Sequence, residues 1–261
     1  MMSTGTREKF FAKLAPTVIR VRQEGSMMFP SVRLAQNLLE TGGVIHHWNN
    51  LGGIKVGSGR KNAYWQGEAV VKGTWEVIDG RSVSMKAAFR GYKSVYHFYK
   101  DLDLLLAISR YERVRKATTP ERQAEMLQAC GYATDPAYAA KLKSIIEKYG
   151  LKKYDAAGSV QPPKPEKLKE AASVAVLYDG LVITDGYLLD GTTWVKARQL
   201  GEALGAEIDW TGTRVTVNGQ ELESILSEAT GYVKARDLAA ELGISAVWDA
   251  LAKVVLLERQ D

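Results

Sequence analysis

Residues 30–43 read PSVRLAQNLLETGG and predict the helix on which the N-terminal half is built. Pro30 suits the first turn of a helix, where its missing N–H group is not needed. Apolar residues then recur at three- and four-residue steps, which gives one apolar face: Val32, Ala35, Leu38 and Leu39. Gly42 and Gly43 can take the left-handed conformation that ends a helix.

Glu40 lies on the last turn of this predicted helix. The negative end of a helix disfavours a carboxylate, so the placement is unusual. Partial burial there would raise the pKa of the carboxyl group, and a carboxyl that stays protonated can act as a general acid. Glu40 is therefore the first candidate catalytic residue.

A β-hairpin is predicted over residues 67–90, where apolar and polar residues alternate. Asp79-Gly80 is a favoured two-residue hairpin turn. The register set by this turn gives two cross-strand pairs: Glu76 with Val83, and Trp75 with Ser84.

Helical periodicity covers four further segments of the first half: residues 6–24, 94–109, 120–129 and 136–149. Asp135 followed by Pro136 is a strong helix start. Residues 44–66 are rich in Gly, Asn and Trp and are predicted to form a loop. The first half is thus a mainly helical domain with a small β-hairpin.

A change in residue composition divides the chain into two parts. The stretch 156–172 contains three prolines that favour an extended backbone, Pro162, Pro163 and Pro165. The predicted domains are 1–157 and 173–261, with the linker at 158–172. The fold class is α+β for the chain as a whole.

The second half contains an internal repeat. Trp194-Val-Lys-Ala-Arg198 returns as Tyr232-Val-Lys-Ala-Arg236, and Trp210 returns as Trp248 at the same offset. Each unit is predicted as a strand, a short helix and a tryptophan-bearing strand that leads into 214–217 or 253–257. Since one unit cannot bury its apolar face alone, the two are expected to pack on each other.

The composition of the chain restricts the classes of partner and cofactor that it is expected to bind. The net charge of +5 favours anionic partners such as nucleic acid, a membrane surface or an anionic wall polymer. No Lys/Arg tract with interleaved aromatics is present, so charge alone does not choose among them. No apolar run is long enough for a membrane span, and no secretory signal is apparent at the N-terminus. Cys130 is the only cysteine, so no disulfide, metal site or cofactor is predicted. The adjacent His46 and His47 are interpreted as solvated loop residues.

Several sequence blocks resemble the glucosaminidase family of flagellar and autolytic peptidoglycan hydrolases (glycoside hydrolase family 73). They occur in family order over about residues 7–155: PSVRLAQNLLETG at 30–42, NNLGGIK at 49–55, TWE at 74–76, FRGYKS at 89–94 and GYATDPAY at 131–138. Two departures are the glycine pair after Glu40, which replaces the family's Gly-Trp-Gly, and Gly52, which replaces a phenylalanine.

The resemblance implies a lysozyme-like domain whose hairpin lobe borders a sugar groove. It implies Glu40 as general acid, Glu76 as the second carboxylate (with Glu68 as the rival) and Tyr132 as a catalytic groove residue. The residues predicted to contact substrate are Asn50, Trp65, Trp75, Tyr111 and Tyr138, and Trp48 is a further candidate for sugar stacking. Asn50 and Lys55 are expected in the loop beside Glu40, and this loop is interpreted as mainly shaping the groove wall, with direct contact to sugar as the lesser alternative.

The repeated units resemble the N-terminal stalk domain of copper amine oxidases. They carry no histidine or cysteine, so no copper is expected. The resemblance implies attachment to the wall or formation of a homodimer. The Lys and Arg of each VKAR motif could face an anionic wall polymer, and solvated strand edges explain them equally well.

These features predict an endo-β-N-acetylglucosaminidase that cuts the GlcNAc-β-1,4-MurNAc bond of peptidoglycan glycan strands. A phage or prophage endolysin, made in the cytoplasm and acting at the wall, fits best, followed by an autolysin. Muramidase or lytic transglycosylase activity on the other glycosidic bond, or a non-catalytic wall-binding protein, are the alternatives. Inverting, retaining and substrate-assisted mechanisms all remain open.

Overall fold

The computed structural model describes residues 4–78, 81–158, 164–227 and 229–259, and it leaves the side chains of residues 4, 74–78 and 81–85 outside its description. The chain divides into two compact units, Met1–Val160 and Gln161–Asp261. None of the helices in the described ranges combines the length and the apolarity needed to cross a membrane.

The first unit is mainly helical. Its helices are α1 (Thr4–Gln23), α2 (Pro30–Thr41), α3 (Val95–Leu106), α4 (Glu112–Arg115), α5 (Pro120–Ala129), α6 (Tyr138–Lys148) and α7 (Lys153–Gly158). A 3₁₀ turn at Ser109–Tyr111 precedes α4. The strands β1 (Ala69–Ile78) and β2 (Arg81–Arg90) form an antiparallel pair.

Helix α2 is the central element of this unit. Its residues from Pro30 to Leu38 are all buried, and it contacts α1, α5, α6 and α7. Gly42 ends it with a φ of 65° and donates its N–H to the carbonyl of Leu38, which satisfies one of the last carbonyl groups. The predicted bounds of α2 are confirmed.

The hairpin register is also confirmed. Glu76 pairs with Val83 and Trp75 with Ser84. The Asp79-Gly80 turn lies outside the described residues.

Two predicted boundaries are wrong. Helix α6 begins at Tyr138 rather than Pro136, because Asp135 first closes a turn: its carboxylate accepts the Ala137 N–H at 2.9 Å, and its carbonyl accepts the Tyr138 N–H. The stretch 156–172 is not entirely linker, since α7 continues through Gly158 and a 3₁₀ turn forms at Glu166–Leu168. Helix α7 is held by Asp155, which accepts hydrogen bonds from the N–H and hydroxyl of Ser31, both at 2.8 Å.

A buried carboxylate ties the hairpin to the helices. Asp101 of α3 accepts hydrogen bonds from Arg90 at 2.7 Å, from the Tyr92 hydroxyl at 2.6 Å and from Asn62 at 2.6 Å. Its side chain is only 3% exposed. Charges at this depth are stable only when paired and hydrogen-bonded, so Asp101 fixes the base of β2 and the loop before β1 against α3.

The second unit combines sheets and two short helices. In chain order its elements are β3 (Ala172–Tyr178), β4 (Leu181–Leu189), β5 (Thr192–Lys196), α8 (Ala197–Leu204), β6 (Ile208–Trp210), β7 (Val215–Val217), β8 (Gln220–Leu222), β9 (Ser224–Ser227), β10 (Thr230–Lys234), α9 (Ala235–Glu241), β11 (Ile244–Asp249) and β12 (Val254–Arg259). Seven strands form one sheet in the order β11-β12-β3-β4-β5-β10-β9, in which only the β12–β3 pair is parallel. Strands β6, β7 and β8 form a separate sheet.

The two repeats pack on each other, as predicted. Strands β5 and β10 are paired, with Val195 opposite Val233. Leu200 of α8 and Leu238 of α9 belong to the same core. Trp194 and Tyr232 alternate with the two valines along β5 and β10 and belong to a second cluster, so the central strands of the large sheet are covered on both faces.

Candidate active site

Glu40 borders an open groove of about 640 Å³ on the surface of the first unit. The groove residues come from the end of α2, the loop after it, the end of α3, the 3₁₀ turn and the segment before α6. They are Leu39, Glu40, Gly52, Gly53, Ile54, Lys55, Leu105, Tyr111, Tyr132, Ala133, Thr134, Asp135 and Tyr138. Segments that are distant in sequence thus meet around one carboxyl group.

The Glu40 side chain is partly open to the groove but surrounded by protein on its inner side. It is exposed by surface area, yet the loss of hydration near its carboxyl group raises its pKa above the usual value. The Tyr138 hydroxyl donates a hydrogen bond to Glu40 Oε1 at 3.4 Å and has the smaller, opposite effect of lowering that pKa. This environment favours protonation of the Glu40 carboxyl group, which remains accessible from the groove.

Two residues of α2 that sequence reasoning missed support this arrangement. Gln36 donates to the Tyr138 hydroxyl at 3.1 Å. Asn37 accepts the Tyr99 hydroxyl and donates to the carbonyl of Leu51 at 3.2 Å. Both lie on the same helix face as Glu40, at i−4 and i−3, and that spacing is the signal that could have identified them.

Three tyrosines form one wall of the groove. The ring centroids of Tyr111 and Tyr132 are 6.2 Å apart, and those of Tyr132 and Tyr138 are 6.0 Å apart. Burial is the main cause that raises the pKa of both Tyr132 and Tyr138, and the neighbouring Glu40 adds to it. These hydroxyls therefore remain protonated and able to donate hydrogen bonds. The structure brings together Glu40 and all three predicted tyrosines.

Lys55, in the loop after α2, lines the groove as expected. Asn50 lies in the same loop but is not one of the groove residues. The Asn50 side chain is buried and bonds to the loop backbone: it donates to the carbonyls of Ile54 and Arg90, both at 2.9 Å, and accepts the Ile54 N–H at 3.0 Å. These contacts agree with the loop-shaping interpretation of Asn50 and not with its direct contact with substrate.

Gly52 fits its position because of a close aromatic neighbour. A Cβ atom there would lie 3.1 Å from the ring of Phe98 and 3.5 Å from the Tyr132 hydroxyl. A side chain at this position would require the Phe98 ring to shift by a few tenths of an ångström. Glycine at position 52, where the related motif has phenylalanine, is thus consistent with the close approach of Phe98 from α3.

Trp65 is a core residue rather than a sugar-binding one. It is 2% exposed, its indole N–H donates to the carbonyl of Glu68 at 2.7 Å, and the Arg90 guanidinium lies 4.3 Å from its ring centroid. A ring enclosed in this way cannot stack on a sugar, so the predicted role of Trp65 is corrected.

The remaining aromatic and acidic candidates lie on or near the hairpin. Glu76 and Trp75 are on β1, and their side chains lie outside the described residues. Glu68 is exposed before β1, where its carboxylate accepts the Gln66 N–H at 3.1 Å; it is not among the groove residues. Trp48 is partly buried, with Lys72 4.3 Å from its ring centroid.

The two loop histidines pack against Trp48. The His46 ring is stacked on it at a centroid distance of 4.2 Å, and His47 meets it edge-on at 5.0 Å. Burial and, after it, the nearby Lys72 lower the pKa of His46. Within the described ranges, no three His, Cys, Asp or Glu residues are grouped so as to hold a metal ion.

Residues 16–151, just over half of the chain, match the Glucosaminidase family, which is described as mannosyl-glycoprotein endo-beta-N-acetylglucosaminidase. The chain belongs to this family. The match contains α2, the hairpin and the whole groove, so the glucosaminidase domain coincides with the first unit. This unit is a glycoside hydrolase domain.

Named relatives share this domain. The exo-glucosaminidase LytG of Bacillus subtilis is 33% identical over 138 residues, which are 49% of this chain and 46% of LytG. The peptidoglycan hydrolase FlgJ of Salmonella typhimurium is 35% identical over 148 residues, which are 55% of this chain and 46% of FlgJ. The chain thus spans about half the length of these relatives.

A solved structure shows the same domain fold. The catalytic domain of the autolysin Auto from Listeria monocytogenes superposes with a TM-score of 0.50 at 26% identity, and the match covers 59% of this chain and 90% of that domain. The mixed helix-and-sheet architecture of the first unit is therefore that of a glucosaminidase catalytic domain.

Proposed function

We propose that the glucosaminidase domain hydrolyses the GlcNAc-β-1,4-MurNAc bond within the glycan strands of peptidoglycan, with Glu40 as the general acid in a lysozyme-like groove. The observation that carries the proposal is the raised pKa of Glu40 in a groove lined by tyrosines. Peptidoglycan as substrate is supported by FlgJ, which is named a peptidoglycan hydrolase. An exo mode, as in the name of LytG, would release only small products, whereas the open groove favours internal cuts.

In the proposed reaction Glu40 donates its proton to the glycosidic oxygen as the bond between that oxygen and C1 breaks. Water then adds to C1, and its proton passes to a base. We assign this second role to Glu76, whose strand β1 places it on the hairpin. The hydroxyl of Tyr132, which stays protonated, is positioned to donate a hydrogen bond in the groove near the cleaved bond.

Glu76→Gln tests the second carboxylate. If Glu76 activates water, the variant loses about 10²-fold or more in kcat, the usual contribution of a general base. The measurement is the rate at which purified Gram-positive sacculi are cleared.

Glu68→Gln tests the rival for this role, because Glu68 is an exposed carboxylate just before the same strand. It is expected to clear sacculi at the wild-type rate. Near-wild-type clearing by Glu76→Gln would contradict the assignment. A loss in Glu68→Gln would then give the role to Glu68, and wild-type clearing by both variants would favour assistance by the 2-acetamido group of the substrate.

The pH profile reports the environment of Glu40. A general acid must be protonated in the free enzyme, so kcat/KM falls as the pH rises through its pKa. Since the pKa of Glu40 is raised, this fall occurs at a higher pH than an ordinary glutamate would give. Tyr138→Phe removes a donor that stabilises the ionised form, so the fall is expected to move to still higher pH.

Tyr111→Phe is the control for this shift. Tyr111 lies in the same groove, and the hydrogen bonds of the described residues do not include one from it to Glu40. In Tyr111→Phe, kcat/KM is expected to fall at the same pH as in wild type. A fall of kcat/KM that stays at the wild-type pH, or that moves to lower pH, in Tyr138→Phe would contradict a hydrogen bond that stabilises the ionised form of Glu40.

For the second unit we propose attachment of the enzyme to the wall, in line with its likeness to the stalk domain of copper amine oxidases. An anionic wall polymer as ligand, or a homodimer formed through this unit, are the forms of attachment that the sequence predicts. Arg198 and Arg236 are exposed at equivalent positions of the two repeats, but Arg198 lies 3.8 Å from Glu202, so these cations do not by themselves favour a polyanion.

A further inference from the structure

The second unit carries two pockets that are built from equivalent residues of the two repeats. The first, of about 760 Å³, includes Lys196, Arg198, Trp210, Leu226 and Thr230. The second, of about 610 Å³, includes Lys234, Arg236, Trp248, Leu188 and Thr192. Each of these residues lies 38 positions from its counterpart in the other pocket. The repeat therefore duplicates a pocket as well as a fold.

The strand pairing explains how the two pockets arise. Val195 of β5 lies opposite its own counterpart, Val233 of β10, in an antiparallel pair. This pairing relates the repeats by a local twofold axis. Each pocket combines the strand–helix junction of one repeat with the hairpin that leads into the other repeat's strand, so both pockets depend on the same pairing.

An exposed tryptophan lies at the same place in each pocket. Trp210 is 39% exposed and Trp248 is 40% exposed. The core of the unit is formed by other residues, among them Leu200 and Leu238, so packing does not account for the two rings. Because each partly exposed ring lines a pocket at the equivalent position of its repeat, the pair points to a binding face.

The charges around the rings are balanced rather than uniformly positive. In the first pocket Arg198 lies 3.8 Å from Glu202, and Asp209 is also present. In the second, Asp237 accompanies the cations and Lys234 is paired with Glu223. A polyanion would favour unpaired cations, whereas a flat ring beside both donors and acceptors suits a neutral ligand rich in hydroxyl and amide groups.

We propose that these twin pockets bind sugar rings of the peptidoglycan glycan strand, with one pyranose face on Trp210 and another on Trp248. The choice of this glycan rests on the proposed function of the first unit. Two linked sites on one polymer raise the overall affinity about 10²–10⁴-fold above that of a single site. The second unit thus keeps the enzyme on the strand that the first unit cuts.

The test is binding of the full chain to sacculi whose anionic polymers have been stripped with hydrofluoric acid. All variants carry Glu40→Gln, so that binding is measured without cleavage and does not depend on the proposed reaction. Trp210→Ala and Trp248→Ala are each expected to weaken binding about 10²-fold, and the double variant to retain only what the catalytic groove provides. Trp→Phe at both positions keeps flat rings and most of the binding.

Leu251→Ala is the matched control, since Leu251 is 59% exposed and lies outside both pockets; it should bind as the parent does. Binding by the double alanine variant at the parent level would overturn the proposal. So would binding that disappears on stripping and falls steeply with salt, which indicates a polyanion. If the parent and the double variant differed in oligomeric state, the two tryptophans would instead mediate self-association. That result would also overturn the proposal.

Discussion

Glu40→Gln is expected to lower kcat on sacculi by about 10²–10⁴-fold, the range that a general acid contributes. Glutamine has the size of glutamate but no proton to give to the leaving oxygen. It can still accept the hydrogen bond from Tyr138 that Glu40 Oε1 accepts in the structure, so the groove keeps its shape. The loss should therefore appear in kcat more than in KM.

The matched control is Glu147→Gln. Glu147 is also a glutamate in the last turn of a helix of this unit, α6, but it is exposed and outside the groove. It should keep wild-type kcat, and both variants should show the wild-type circular dichroism spectrum. Full activity in a folded Glu40→Gln variant would mean that the general acid is a different residue.

Asp101→Ala is expected to destabilise the first unit by about 3–5 kcal/mol, the usual effect of removing one partner of a buried ion pair. Asp101 is 3% exposed and Arg90 is 17% exposed, so the guanidinium would lose its counter-charge in a largely buried place. The Tyr92 hydroxyl and Asn62 would lose their acceptor as well. Because these groups join the hairpin to α3, the Asp101→Ala variant should lose activity at temperatures at which the wild-type protein is stable.

The measurement is amide hydrogen exchange of α3 and β2 together with denaturant unfolding. Glu112→Ala is the control: it removes an exposed pair with Lys116 and should leave the unfolding midpoint unchanged. An Asp101→Ala variant as stable as this control would show that the buried cluster is not what holds the hairpin in place.

The bounds of α2 and the place of Glu40 could be predicted because local chemistry encodes them. Pro30 starts the helix, and Gly42 adopts the positive φ that ends it. The pairing of the repeats could be predicted for a similar reason, since one motif occurs twice and neither copy has enough apolar surface to fold alone.

What the sequence did not reveal depends on contacts between distant segments. Gln36 and Asn37 are polar, so a periodicity argument places them outward, yet they are buried against Tyr138 and Tyr99. Trp65 is enclosed by Arg90, 25 positions later in the chain. The groove itself joins five separate segments, and no local pattern gives their meeting point.

The most direct test of the central claim is mass spectrometry of the sugar ends that the wild-type chain releases from purified Gram-positive sacculi. We predict fragments with a reducing N-acetylglucosamine end, of more than one disaccharide in length, and none from Glu40→Gln. Fragments ending in reducing or anhydro N-acetylmuramic acid would contradict the claim, because they would mean that the enzyme cuts the other glycosidic bond.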